Sequence, residues 1–235
     1  MTQPAIYGAD NAYLAEAVAA YPDRLAGIGQ IDPRGPEAVA QLVYWVQERG
    51  LRGLRLNPGL EPGSRWLDKR DQAPIWDVAG ALGVPISLRI APEQLTQLDN
   101  MVGRFPMVPV VIDYLNPEAF ADPPVYQAFE QLGRMARHSQ LFVKLLPLAA
   151  HSRRPYPFDD LWPAYSSLYQ AFGGRRLIWG SGWPDTHPAL DPVRARTWVE
   201  TLPFLTSSDR DWIAGRTAIE LWHLSAVKDP PGVRP

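Results

Sequence analysis

The 235 residues carry a net charge of −2, 46% hydrophobic and 20% charged side chains, and no cysteine. A chain of this length can bury the core of one large α/β domain. It lacks the basic runs of a nucleic-acid or acidic-membrane binder, and having no cysteine it has no disulfide, thiolate nucleophile or cysteine-held metal. No apolar stretch reaches bilayer-spanning length, and residues 1–4 show no signal-peptide pattern, so a cytoplasmic location with no nucleic-acid and no membrane partner is expected.

In chain order, a loop over residues 6–11 offers Asp10 or Asn11 as a helix cap. Residues 12–21 place Tyr13, Leu14, Ala17 and Val18 on one helical face, and Pro22 ends that helix. Residues 25–31 read as a strand closed by Asp32-Pro33, and residues 36–48 as an amphipathic helix stopped at Gly50. The alternation continues with a strand at 53–56, a helix at 73–82 with Gly83 as its C-terminal cap, a strand at 85–90 and a helix at 93–105. A strand at 108–112 ends in Asp113-Tyr114 and is followed by a helix at 124–137 and a strand at 141–146. A long loop rich in Pro, Arg and Tyr leads to a helix at 162–172 and to Leu177-Ile178-Trp179-Gly180-Ser181-Gly182-Trp183-Pro184-Asp185-Thr186-His187. That last stretch reads as a buried strand emerging at its C-terminal edge, where a barrel of parallel strands places its chemistry. Helices at 191–202 and 208–221 close the fold, in a single domain over residues 1–228 with a flexible tail at 229–235.

Strands alternating with helices imply parallel βαβ units with right-handed crossovers. Six such strands make an α/β, TIM-barrel-like fold that is incomplete, since a closed barrel needs eight. Side chains alternate faces along a strand, so Arg55 shares a face with Asn57, and Arg89 with Ser87. If these faces and that of Lys144 point inward, Arg55, Arg89 and Lys144 converge near the mouth of the barrel. A bound carboxylate or phosphate would satisfy them. A structural acid such as Asp32 or Asp113, or escape of the side chains to solvent, would do so equally well. Asp113, of opposite parity to Tyr114, is expected to pack outward. Tyr114, Trp179 and Trp183 could form an aromatic wall, and Asp185 with His187, two residues apart, could act as a base and its orienter. His138, His151 and His223 fall in helical or loop settings that require no function. Ser181 lacks the Gly-x-Ser-x-Gly context of a nucleophile.

Several segments together resemble the amidohydrolase-related family of metal-dependent hydrolases. They are the opening run from Tyr7 to Leu14, Gly50-Leu51-Arg52-Gly53-Leu54-Arg55-Leu56-Asn57-Pro58, Ala81-Leu82-Gly83-Val84-Pro85-Ile86, Val110-Val111-Ile112-Asp113, Phe142-Val143-Lys144 and Gly180-Ser181-Gly182-Trp183-Pro184. They occur in that family's order. The resemblance implies a TIM barrel whose first strand carries a His-x-His pair, whose fifth and sixth strands each carry a His and whose eighth carries an Asp, together holding a divalent metal that activates water. Here the His-x-His segment has no counterpart, and the later positions fall on Arg89, Tyr114 and Gly182. The expectation is therefore a barrel that is N-terminally truncated relative to the family, with its metal site lost and no cofactor. Two uncovered sheet edges would favour a homodimer.

Three functions are expected as alternatives. The first is a pseudoenzyme or altered enzyme binding a small carboxylated molecule through Arg55, Asn57, Arg89, Tyr114, Lys144 and Trp183. The second is a metal-independent hydrolase of lactones or esters using Asp185 or His187 for proton transfer. The third is a structural subunit completed by another chain.

Overall fold

The computed structural model describes residues 1–61, 63–115, 127–183 and 190–224, with the backbone alone at residues 5, 114 and 115. Six parallel strands form one sheet in chain order: β1 (Ile28–Gln30), β2 (Gly53–Leu56), β3 (Ile86–Ile90), β4 (Val110–Leu115), β5 (Leu141–Leu145) and β6 (Leu177–Trp179). Each pairs with its sequence neighbour, and β1 and β6 do not meet. This is the incomplete TIM-barrel-like arrangement expected from the alternation. Strand β1 is shorter than its pattern suggested, because only three of its residues find partners on β2.

The helices on the convex side follow from periodicity and punctuation. Helix α1 (Ala12–Ala20) is followed by α2 (Ala38–Val43), which continues as a π-helical turn through Glu48. Helix α3 (Ala73–Leu82) has Pro74 in its first turn, where no hydrogen bond is lost. It stops at Gly83, whose φ of 65° is open to glycine at little cost. Helix α4 (Leu95–Arg104) buries Leu95, Leu98, Met101 and Val102, and α5 (Gln127–Met135) buries Ala128, Phe129, Leu132 and Met135, each a 3.6-residue stripe. Helix α6 (Trp162–Phe172) coincides with its predicted span. The two predicted closing helices are each broken. Helix α7 (Pro192–Thr197) passes into a 3₁₀ turn, and α8 (Ser207–Asp211) reaches α9 (Thr217–Leu221) through a π turn at Trp212–Arg216. No helix among the described residues is long and apolar enough to cross a membrane.

The strands' two faces do different work. Leu54, Leu56, Ile86, Leu88, Ile90, Val110, Ile112, Leu141, Val143, Leu145 and Leu177 belong to the large core under the helices. The concave face begins with a smaller apolar layer of Ile28, Val111 and Ile178, closed from below by Trp222 just past α9. Polar residues follow toward the strands' C-terminal ends.

The outer edge of β1 is not exposed, contrary to expectation. Ile28 donates to Met1 O (2.8 Å) and accepts from Gln3 N (2.9 Å), and Thr2 forms a parallel bridge with Ile28. One pairing step further, the Asn11 side chain takes the place of a strand. Its Oδ1 accepts from Gln30 N and its Nδ2 donates to Gln30 O, both at 2.8 Å. Asn11, completely buried, thus covers an edge that would otherwise invite another chain.

Candidate functional site on the concave face

Register fixes which polar side chains share the concave face. Gln30 pairs with Arg55, Arg55 with Ser87 and Ser87 with Val111, the last of these in the concave apolar layer. Two residues further along their strands stand Asn57, Arg89 and Asp113, and Lys144 lies on β5 opposite Ile178. Between β3 and β4 the register slips: Leu88 pairs with Ile112, but Arg89 pairs with Tyr114. The extra residue on β4 is Asp113.

Alternation from Val111 places Asp113 on the concave face, which corrects the expectation that it packs outward. Its side chain is 3% exposed and faces inward, where one carboxylate oxygen lies 3.7 Å from Arg55 Nη1 and the other contacts Lys144 Nζ. Both cationic side chains are 15% exposed. Charges this far from water need partners, and Asp113 supplies one carboxylate to two of them. Arg55 is also oriented by Asn57, whose Oδ1 accepts from Arg55 Nε at 2.9 Å. The Lys144 stem finds room because residue 180 is glycine.

Other polar atoms of this face have no partner. Gln30 Oε1, Asn57 Nδ2 and Ser87 Oγ are buried and make no hydrogen bond among the described residues. Ser87 is completely buried. A buried polar group without a partner costs about 1–3 kcal/mol, so each of these three calls for a polar neighbour.

The loops at the strands' C-terminal ends are braced from below. The Gln94 side chain, completely buried, accepts from Ala91 N (3.1 Å) and donates to Pro58 O and Ser64 Oγ (3.0 Å each), tying the loop after β2 to the turn after β3. At the rim Arg34 joins Asp32 to Glu61, and its hydrogen bond to Asp32 holds that carboxyl below its ordinary range.

Of the residues singled out from sequence, Arg55, Asn57 and Lys144 come together around Asp113, and Arg89 stands on the same face. Trp183 is 72% exposed beyond β6 in a turn where its N–H donates to Ser181 Oγ (3.1 Å). Asp185 and His187 lie outside the described residues, as do the side chain of Tyr114 and the predicted tail at 229–235. Asp32 serves Arg34 at the rim and not the buried cations. Trp179 donates to Ala195 O (3.0 Å) and packs against the core of the helical layer, so it holds α7 in place. Gln30 and Ser87 were not marked as candidates from sequence; alternation from Arg89 was the signal for Ser87, whereas Gln30 joins this face only through the register of β1 on β2.

The described concave face does not suit a divalent metal. Its one carboxylate already answers Arg55 and Lys144, whose charges would oppose a third cation. No group of three His, Asp or Glu side chains able to hold a metal occurs among the described residues. His138 pairs with Asp99 on the helical layer (2.9 Å), beside Arg137.

The sequence model of a family described as Amidohydrolase matches residues 1–224. L-fucono-1,5-lactonase of Burkholderia ambifaria is 26% identical in an alignment over 185 residues that covers 74% of this chain and 60% of that protein. The match thus spans less than two thirds of this relative's length. Among solved structures, an amidohydrolase from Burkholderia multivorans with bound zinc superposes with a TM-score of 0.78 at 22% identity, over 92% of this chain and 79% of that one. A probable 2-pyrone-4,6-dicarboxylic acid hydrolase from Acinetobacter baumannii with citric acid bound gives 0.77 at 23%, over 94% and 82%.

Proposed function

We propose that this chain, which belongs to the amidohydrolase family, takes a small carboxylated molecule on the concave face of its sheet, held by Arg55 and Lys144. The observation that carries this reading is the buried Arg55–Asp113–Lys144 cluster, in which a single carboxylate faces two cations near the C-terminal ends of β2, β4 and β5. Parallel barrels place their ligands at that end. A guanidinium keeps several donors in a planar fork, so Arg55 can hold Asn57 and Asp113 and still offer an N–H to a ligand carboxylate. Arg89, Tyr114 and Trp183 belong to the same proposed site as further contacts. The Acinetobacter neighbour's bound citric acid lends support as an example of a small carboxylate on a related barrel.

Titration calorimetry with citrate tests the reading. Citrate should bind the wild-type protein, and Arg55→Met and Lys144→Met should each weaken it at least about tenfold, since a charge-assisted hydrogen bond contributes roughly 1.5–3 kcal/mol. Unchanged affinity in both variants would sink it.

A second reading, turnover of a lactone at the same place, is favoured by the relative named L-fucono-1,5-lactonase. Arg55 and Lys144 would polarise the lactone carbonyl, and Asp185 or His187 would take a proton from the attacking water. The ring C–O bond breaks, its oxygen gains a proton, and a hydroxy acid results. Acid release from sugar lactones, followed in a pH-stat, separates this reading from ligand binding without turnover.

A further inference from the structure

We infer that Gln30, Ser87 and Asn57 form a hydroxyl-reading row beside the cation pair, so that the ligand is a hydroxy acid and not a plain carboxylate. The inference rests on the proposed carboxylate site and goes beyond it by assigning a second chemical group to the ligand and naming the residues that select it.

The row is set by strand register. Gln30, Arg55 and Ser87 are successive partners on β1, β2 and β3, so their backbones stand about 4.8 Å apart across the sheet. Arg55, in the middle, turns toward Asp113. Its two neighbours are left with the acceptor Gln30 Oε1 and the donor-acceptor Ser87 Oγ, each buried and without a hydrogen bond among the described residues. Asn57 lies one pleat above Arg55 and spends its Oδ1 on Arg55 Nε (2.9 Å), which leaves the donor Nδ2 unsatisfied.

One acceptor, one donor and one hydroxyl that can be either match the needs of an alcohol, which donates one hydrogen bond and accepts up to two. A carboxylate cannot use Gln30 Oε1, because an ionised carboxylate only accepts. An apolar group would leave all three atoms unpaired at the cost noted above. The row adjoins the cations, so the hydroxyl sits close to the carboxylate in the ligand, within one or two carbons. Opening a lactone yields this class of compound.

The test compares two tricarboxylates differing in one group: citrate, with a hydroxyl on the carbon that bears its central carboxylate, and tricarballylate, with hydrogen there. A site built to hydrogen-bond a hydroxyl discriminates strongly against the analogue lacking it. By calorimetry, wild-type protein should bind citrate at least about tenfold more tightly than tricarballylate. Ser87→Ala should bring the two within about twofold by weakening citrate alone. Gln30→Met, which keeps the Asn11 contacts to the residue 30 backbone, should act in the same direction and stands in if Ser87→Ala melts. Equal binding of both compounds by the wild-type protein would overturn the hydroxyl row and leave the carboxylate site standing, as a fixed water at Ser87 would produce. Equal weakening of both compounds by Ser87→Ala and Gln30→Met would overturn it too. Failure of both compounds to bind would overturn the carboxylate site itself.

Discussion

Lys144 crosses the sheet over Gly180: a Cβ added at residue 180 would fall 2.6 Å from Lys144 Cδ and 2.9 Å from Leu146 Cδ2. The missing side chain on the segment after β6 is therefore what allows a cation on β5 to lie flat and reach Asp113 on β4. Gly180→Ala should push the lysine stem aside at an overpacking cost of about 1–3 kcal/mol. Citrate binding should weaken more than the change in melting temperature alone accounts for. Calorimetry beside a thermal melt checks this, and unaltered affinity would separate Gly180 from the site.

Asp113 holds two cations away from water, and the asymmetry between breaking an ion pair and replacing it sets the next expectation. Asp113→Asn keeps the shape and removes the charge, leaving Arg55 and Lys144 facing one another. The loss should be about 3 kcal/mol, the low end for breaking a buried pair, because both cations keep some contact with solvent. Adding Lys144→Met to Asp113→Asn should recover part of that loss. Urea unfolding of the two variants decides; a double variant no more stable than Asp113→Asn would show that repulsion between the cations is not the cause.

Asn11→Leu should cost about 2–4 kcal/mol, since it strands the Gln30 N–H and C=O in a buried setting. It should also raise the tendency to associate, because an unpaired strand edge is a template for another chain. Static light scattering at matched concentrations reads the second effect. Asn11→Asp retains the acceptor but not the donor and should fall between.

Acid stability carries a signature of the last helices. Hydrogen bonds from the Thr206 and Tyr169 hydroxyls hold the Asp209 carboxyl below its ordinary value of 3.8. A depressed carboxyl stabilises the fold above the unfolded value, and the contribution fades as pH falls through the lower folded value, where the native state finally takes up the proton. Urea midpoints should therefore drop as pH is taken below 3.8. Asp209→Asn should be less stable at neutral pH and show a shallower drop between neutral pH and about pH 3. Identical slopes would contradict it.

The layered architecture was legible because strand and helix periods differ and both run cleanly here. The stripe Leu95, Leu98, Met101, Val102 could be nothing but a helix face, and Leu54-Arg55-Leu56 announces its two faces by parity. The grouping of Arg55, Asn57 and Lys144 followed from the same rule. Asp113 did not, because its face was referred to Tyr114, whereas alternation from Val111 turns it inward. The Asn11 clamp was invisible for a different reason: a side-chain amide that stands in for a strand has no neighbours of its own to form a pattern. The breaks in the closing helices arise where Trp198 and Trp212, both buried, are packed by a locally wider or tighter turn.

Trp222 packs with Ile28, Val111 and Ile178, and its indole nitrogen stands 3.2 Å from where a Cβ of Gly53 would be. Strands that leave the ribosome early thus share a core with a side chain made late. Until that indole docks, the base of the concave face is open to water and the polar row above it has no floor. The early strands can pair with one another during synthesis, but the cup they form closes only when the ninth helix arrives. The floor of the concave face is therefore complete only once the segment after the ninth helix has docked, and not strand by strand.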